Sequence, residues 1–590
     1  MTQGVVTQGV VTAGAPTSGG PTSETAPRGS DTSNEAGRIR ITGTGHAGLF
    51  IETAAGSILC DPWVNPAYFA SWFPFPDNSD LDWDRLGACD YLYVSHLHRD
   101  HFDAEHLRKY VSKRATVLLP EYPTHDLENE LRDLGFTSFL RTRTDEPVTL
   151  DGGLTVMIQA LVSPTDGPIG DSSLWVEYGG VRLLNQNDAR PRDLSAFAAL
   201  GHVHAHLLQF SGAIWYPMVY ELPEAARRAF GKQKRERQFD RTLRYIDELR
   251  ADWVFPIAGP PCFLDDELWD NNDLADDEGN IFPDQQKFID YYESLGRRNG
   301  VILLPGTVAT VTTTGCEVTQ PVPDVRAFFA NKESYLRDFQ RRARPVIEAQ
   351  RRSWQHPEID VLAELRRRVE PLMAASEHIA EGIGVPVRLD LTDDADVVVE
   401  SILFDFPNRV IRRADEPPPS SSDERATEPA AADGQPERPA ADRPRRLEKV
   451  RYRFRTRRSL VEHLLHTGEV DWVNSLFLSC RFRAARIGQY NEYVYSFFKC
   501  LSEERLNYAE AWYAEQARAI DEETVDIDGW RVQRHCPHLK ANLARFARVD
   551  GDVLTCQMHG WKFDLPTGRC LTSAGHSIRA TRIAADTPTS

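Results

Sequence analysis

Two clusters of metal-ligating side chains stand out in this chain of 590 residues. The first is Ser95-His96-Leu97-His98-Arg99-Asp100-His101, which follows the apolar run Tyr91-Leu92-Tyr93-Val94 and precedes Asp103, a residue suited to cap a helix. Three imidazoles and a carboxylate on one strand-to-helix loop can point alternate side chains at two adjacent metal ions. Burying so many titratable groups without a metal would be costly. The second cluster is Cys536-Pro537-His538, then 17 residues, then Cys556-Gln557-Met558-His559-Gly560-Trp561. Two thiolates and two imidazoles on paired loops make a four-ligand metal centre. The other seven cysteines, Cys60, Cys89, Cys262, Cys316, Cys480, Cys500 and Cys570, show no ligand spacing and read as small buried hydrophobes.

The elements that must position these clusters follow from composition and period. Residues 1–37 are rich in Thr, Gly, Ser and Pro and lack the apolar density for a core, so a disordered tail is expected. From 38 to 325, short apolar runs such as Arg38-Ile39-Arg40-Ile41, Thr116-Val117-Leu118-Leu119 and Val181-Arg182-Leu183-Leu184 alternate with helical segments, which predicts a layered α/β domain. Residues 326–515 read as an α+β unit, interrupted by a disordered loop at 414–446 that holds seven prolines and no Leu, Ile, Val or aromatic residue. Its flanks, Ile402-Leu403-Phe404 before and Val450 to Arg455 after, read as strands expected to pair as a hairpin across the loop. Residues 516–590 form a small all-β unit around the second cluster.

The first cluster, with its His-x-His-x-Asp-His spacing, resembles that of the metallo-β-lactamase superfamily, which implies an αββα sandwich. His96 and His98 would then bind one metal and Asp100 and His101 the other. Cys60-Asp61-Pro62-Trp63 resembles that superfamily's early Asp-Pro element. Asn185-Gln186-Asn187-Asp188 places Asp188 where a bridging carboxylate is expected. At the third usual histidine position stands Ser163-Pro164-Thr165-Asp166-Gly167, with Asp171 beyond, so Asp166 is the candidate ligand there. Asp100 and Asp166 are the candidate catalytic carboxylates, and the added oxygen donors tilt the site from zinc toward non-heme iron, one or two ions. His202, His204 and His206 are candidates for the remaining histidine. The second cluster resembles the Rieske [2Fe-2S] motif, with Cys536, His538, Cys556 and His559 as cluster ligands, a four-ligand zinc site being the alternative.

The two centres together resemble the CMP-N-acetylneuraminate hydroxylase family, over about 38–412 and 448–575, although there the Rieske domain leads the chain and here it trails. Only about 31 residues follow His559, too few for the separate iron domain of ordinary Rieske oxygenases. Electrons must therefore leave the cluster toward the first centre. The resemblance implies a monooxygenase that hydroxylates a small molecule or nucleotide-sugar-like substrate, with dioxygen consumed and water as second product. An N-oxygenase acting on an amine, and a metal-dependent hydrolase with a redox-sensing Rieske domain, are the alternatives. No Gly-x-Gly-x-x-Gly element opens a βαβ unit, so an external ferredoxin, cytochrome or reductase is expected as electron donor. With 68 basic against 87 acidic residues, a net charge of −19, a nucleic-acid strand is a poor partner. The absence of a long apolar run predicts a soluble, cytoplasmic protein with no membrane contact. The basic run Arg227 to Arg244 reads as a solvated helix face, with a surface for an acidic partner or for a nucleotide-phosphate substrate as the alternative, and the acidic run Asp265 to Glu278 as a mobile loop, with a lid as the alternative.

Overall fold

The computed structural model describes residues 37–583, apart from 213, 276, 418–449, 519–522, 539, 559 and 574–575. The expected tail before residue 37, most of the expected loop at 414–446, and His559 lie outside the described residues. The first unit is built from β1 (Arg38–Gly45), β2 (Gly48–Thr53), β3 (Gly56–Cys60), β4 (Tyr91–Tyr93), β5 (Thr116–Leu119), β6 (Phe139–Arg141), β7 (Val148–Thr149), β8 (Thr155–Leu161), β9 (Asp171–Tyr178), β10 (Val181–Asn187), β11 (Ala205–Gln209), β12 (Trp253–Ile257), β13 (Val308–Thr312) and β14 (Cys316–Thr319). One sheet runs β14-β13-β1-β2-β3-β4-β5-β6 and the other β12-β11-β10-β9-β8-β7.

Alternation along each strand sorts the side chains between two layers. Ile39, Ile41, Leu49, Ile51 and Ile58 meet Val156, Ile158, Leu174, Val176 and Leu183 between the sheets. Phe50 and Leu59, of the opposite phase, pack outward on Trp83, Phe102 and Leu107. Helices therefore cover the outer faces and the unit is an αββα sandwich, as the motif implied. β3 and β4 run parallel, so the loops leaving their C-terminal ends emerge at one edge. That edge carries Asp61 and the run His96 to His101.

The middle unit is a five-stranded sheet of β15 (Val387–Thr392), β16 (Val398–Asp405), β17 (Val410–Arg413), β18 (Tyr452–Arg457) and β19 (Phe482–Arg486), ordered β17-β16-β15-β18-β19. The hairpin expected across 414–446 does not form: β17 pairs with β16, and β18 lies parallel to β15. A long connection can return to any strand of a sheet at little extra closure entropy, and the interior position beside β15 buries Tyr452 and Phe454. The last unit has β20 (Thr524–Ile527), β21 (Trp530–Gln533), β22 (Ala547–Asp550), β23 (Val553–Cys556), β24 (Trp561–Asp564) and β25 (Ala580–Arg582), in the sheets β20-β21-β25 and β22-β23-β24. Among the described residues no helix is long and apolar enough to cross a membrane.

Neither smaller unit has a core of its own. Phe477, Phe482 and Tyr495 of the middle unit share a cluster with Trp63, Trp72, Trp215 and Phe263 of the sandwich, and Leu543, Phe546 and Trp561 share one with Tyr245, Phe239 and Phe288. Ion pairs reinforce the first junction. The acidic run expected to be mobile is pinned there: Asp265 meets Arg351 at 2.6 Å and Arg481 at 2.8 Å, and Glu267 meets Arg457 and Arg481. The Arg481 side chain is 1% exposed and also donates to the carbonyls of Phe69 and Ala70. Removing one partner of a buried pair strands the other charge, at a cost of about 3 kcal/mol. Arg481→Leu is accordingly expected to lower the unfolding free energy by about that amount, read as a lower midpoint in a urea titration. An unchanged midpoint would mean that Arg351 alone neutralises Asp265.

Candidate metal centres

The first centre is assembled from four chain segments at the strand ends. Asp61, just beyond β3, accepts from Ser95 N (2.7 Å), Ser95 Oγ (2.8 Å) and His101 Nδ1 (3.1 Å). Its carboxylate thus fixes the His101 tautomer and presents Nε2 to the site. Asp103 caps the Ala104–Tyr110 helix through His106 N, as expected, and also accepts from Val64 N and Asn65 N, tying the Asp-Pro loop to the histidine loop. Asp188 leaves β10 after Asn187, whose Oδ1 accepts from Asp188 N and whose Nδ2 donates to Ser172 O.

The expected residues His96, His98, Asp100, His101 and Asp188 all converge. His96 Nε2 approaches His98 Nδ1 at 2.7 Å and Asp188 Oδ2 at 3.9 Å; His101 Nε2 lies 3.7 Å from Asp188 Oδ1. Two donor sets emerge, His96, His101 and Asp188, and His46, Asp100 and His101, each with its ligand atoms within 4.8 Å of one another. The buried His101 Nε2 and Asp188 Oδ1 have no hydrogen-bond partner among the described residues. Buried polar atoms left so are expensive, and a cation between them is what would satisfy both. Protonation equilibria point the same way. Burial pushes the His101 imidazole down, but Asp188 and Asp61 outweigh it and raise it to about 10, so the pocket attracts positive charge. Burial holds His96 well below its usual range, a neutral imidazole ready to ligate. The residues fit one or two metal ions.

Three differences from expectation concern the outer ligands. Asp166 is not among the converging donors; its Oδ2 accepts from Ser163 N at 3.2 Å, closing its own turn. Asp171, at the start of β9, comes nearer, with Oδ1 3.3 Å from His96 Nδ1. His202, His204 and His206 lie elsewhere: His202 pairs with Asp252, His204 Nδ1 accepts from Arg182 N, and His206 Nε2 meets Gln186 Oε1. The histidine that does arrive is His46, on the β1–β2 turn, with Nε2 3.0 Å from Asp100 Oδ2. Its signal was Gly45-His46-Ala47-Gly48 after a strand: Gly45 has φ +107°, and a Cβ on Gly48 would fall 2.3 Å from Thr44 Oγ1. Tyr68, also missed, donates its hydroxyl to Asp100 Oδ1 at 2.6 Å.

The middle unit reaches into this centre. Asn474 Oδ1 lies 2.8 Å from His98 Nε2, while its Nδ2 donates to Asp471 Oδ2 (2.9 Å) and Gly167 O (3.3 Å). The partner across 376 positions of sequence fixes the ring whose Nδ1 faces His96.

At the second centre, Cys536 lies beyond β21 and Cys556 ends β23, with both residues buried. The turns around them are held by backbone bonds, Lys540 N to Cys536 O and Gly560 N to Cys556 O. Burial pushes the Cys536 thiol well above its usual range, and the neighbouring Cys556 adds to the shift. Two thiols so placed become stable thiolates on binding metal, so the pair fits a cluster. His538 stacks on Trp561 with ring centroids 4.1 Å apart, and its Nε2 lies 2.9 Å from Glu492 Oε2 on the Glu492–Lys499 helix. One cavity of about 580 Å³ is lined by His98, Asp100 and Asp188 of the first centre and by His538 and Trp561 of the second.

This architecture defines a class, a metallo-β-lactamase-type sandwich whose metal site shares a cavity with a Rieske [2Fe-2S] domain. The chain belongs to the Rv3818-like family of Rieske iron–sulfur proteins. Family models match residues 361–420 and 438–515 as "Rv3818-like, SCP2-like domain" and 527–579 as "Rieske [2Fe-2S] domain". A relative in Mycolicibacterium smegmatis bearing a Rieske 2Fe-2S iron–sulfur protein name is 48% identical over 552 residues, 92% of this chain and 100% of the relative. Another in Mycobacterium tuberculosis is 49% identical over 553 residues, with the same coverage. Cytidine monophosphate-N-acetylneuraminic acid hydroxylase of Danio rerio is 26% identical over 239 residues, 38% of this chain and 39% of that one. Among solved structures, the di-iron β-hydroxylase CmlA of Streptomyces venezuelae is similar over 47% of this chain and 54% of its own, at 18% identity and TM-score 0.31.

Partners that orient a metal-ligating histidine typically carry 10- to 100-fold in affinity. Asn474→Ala is therefore expected to weaken metal retention at the first centre by about that factor, measured by chelator competition, while the visible spectrum of the cluster is unchanged.

Proposed function

We propose that this chain is a Rieske-dependent non-heme iron monooxygenase. His96, His98 and Asp188 would hold one iron, and His46, Asp100 and His101 a second. Cys536, Cys556, His538 and His559 hold the [2Fe-2S] cluster. Iron bound at the first centre would supply the chemistry of oxygen insertion, and a bound [2Fe-2S] cluster would supply electrons singly. Overall, one dioxygen, two electrons, two protons and a substrate C–H bond give an alcohol and water. An external ferredoxin, cytochrome or reductase provides the electrons. The hydroxylase name of the Danio rerio relative, and the Rieske domain, favour this reading over hydrolysis.

The observation that carries it is the single cavity lined by side chains of both centres. The Glu492–Lys499 helix connects them: Glu492 touches His538, and Lys499 Nζ donates to Gly167 O (2.6 Å), in the loop that Asn474 ties to His98. At 1.5 Å per residue those two contacts are separated by only about 10 Å along the helix axis. The chain's own residues then have defined tasks. Asp61 retains a proton on His101 Nδ1, leaving Nε2 for the metal. Tyr68 gives a hydrogen bond to Asp100 Oδ1 and leaves Oδ2 toward His46. Trp72, Trp215 and Tyr495 line the cavity and limit the water that reaches the reacting atoms.

Metal and sulfide analysis with EPR of the anaerobically purified full chain is expected to find the reduced Rieske signal plus additional iron. Zinc in place of that additional iron would overturn the proposal. His538→Ala is expected to retain the first-centre iron and abolish dioxygen-dependent product formation under labelled dioxygen. Turnover that persists without dioxygen would establish the hydrolase instead.

A further inference from the structure

The Glu224–Leu249 helix, read from sequence as a solvated basic face, has two different faces in the structure. On the outer one, Arg228 pairs with Asp277 at 3.0 Å and Lys232 with Glu278. On the inner one, Lys234, Arg237 and Arg241 turn into the cavity, joined there by Arg190 and Arg486. None of these five forms an ion pair with a carboxylate among the described residues. The cavity's own acids are engaged elsewhere, Asp100, Asp171 and Asp188 at the first centre, Glu492 at His538, and Asp166 in its own turn, where it accepts from Ser163 N and faces the charges of Arg192 and Lys499.

Five cations gathered without counter-charge repel one another. The effect is visible at Lys234, whose ammonium is brought down to about 7 by burial and then by Arg190, Arg241 and Arg237. Arg241 finds a partial outlet by donating to Met558 O at 3.2 Å. Aromatic rings flank two of the others: Lys234 Nζ lies 5.9 Å and Arg486 Cζ 5.8 Å from the Tyr216 centroid, and Phe230, 41% exposed, stands beside Tyr216. An arrangement of Arg forks, one Lys and an adjacent aromatic wall suits a multiply charged anion attached to an apolar or planar group. A carboxylate brings one charge and two acceptor oxygens; a phosphate monoester brings up to two charges and three such oxygens.

We propose that Arg190, Lys234, Arg237 and Arg486 bind the phosphoryl group of an organic phosphate, anchoring the substrate so that its reacting part lies at the acidic, metal-binding end of the cavity. The second half of this statement rests on the oxygenase reading; the anion site itself does not. Titration calorimetry of the full, cluster-loaded chain with phenyl phosphate, and with benzoate as the singly charged counterpart, tests it. One saturable site for phenyl phosphate is expected, with benzoate about tenfold weaker. Lys234→Gln and Arg237→Gln are each expected to weaken phenyl phosphate by about tenfold or more, and Arg228→Gln on the outer face to leave it unchanged. His98→Ala, which disrupts the first metal centre, is expected to retain the binding. This separates the anion site from phosphate held on metal, and its outcome stands whether or not the chain proves to be an oxygenase. Three results would overturn the proposal: no saturable binding, binding lost in His98→Ala but kept in Lys234→Gln, or variants that shift the reduction potential of the cluster without altering phenyl phosphate affinity. The last would assign the cations to the cluster's own charge.

Discussion

The arrangement depends on a convergence of buried carboxylates and imidazoles that no set of protein hydrogen bonds can satisfy alone. Asp61, Asp100, Asp171 and Asp188 face His46, His96, His98 and His101 at the edge where the two sheets end. Such a group in a packed interior is stable only with additional positive charge, so the backbone around it is shaped to hold donors rather than to relax. The backbone records this: His46, Asp61, Tyr68, Phe69, Ala70, Asn187 and Ala258 are all non-glycine residues with positive φ. Conformations of that kind cost of order 1–3 kcal/mol each and persist where surrounding packing imposes them. Here that packing is Trp63 and Trp72 beneath the Asp-Pro loop and Phe102 beneath the histidine loop.

The middle unit is the part whose role is least evident from its own composition. Its sheet carries no donor cluster, yet Asn474 touches His98 and Glu492 touches His538. Buried Arg505 supports the first contact, holding Asp471 at 2.8 Å and Asp126 of the sandwich at 2.7 Å. The unit therefore sets the spacing of the two centres. Because its core is continuous with that of the sandwich, this spacing is a property of packing rather than of a hinged arrangement.

Local pattern made most of this legible, and non-local contact explains what was not. The His96 to His101 loop, Asp61, Asp103 and Asp188 were recoverable because each directly follows or caps an element with a clear period. Cys536 and Cys556 were recoverable because spacing alone marks ligands on paired loops. Asp166 lies outside the converging donors, and a turn aspartate that closes on Ser163 N looks the same in sequence as one that reaches outward. Asp171 comes near His96 only because β9 begins there. His46 was overlooked because one histidine between glycines carries no spacing signal, and its partners lie some 55 residues away, at Asp100 and His101. Asn474 and Glu492 could not have been read at all: each is defined by a contact that the tertiary fold alone creates. The divided character of the Glu224–Leu249 helix has the same origin, since period separates its faces but only packing shows which one is enclosed.

The Rieske domain trails the sandwich in this chain, and the way it docks does not depend on that order. What couples the centres is that β21 and β23 present their loops to the same cavity that receives the ends of β4 and β10. The docking is made by side chains: Tyr245 donates to Met558 Sδ, Arg244 donates to Arg545 O, and Arg545 pairs with Glu248. None of these contacts requires the domain to be attached at a particular end. A linker need only be long enough to reach, and the closure entropy of a longer one grows slowly. Domain order is thus weakly constrained, whereas the face that Cys536, His538 and Trp561 turn to the sandwich is strongly constrained, because rotating the domain would break the Glu492 contact and open the cavity to water.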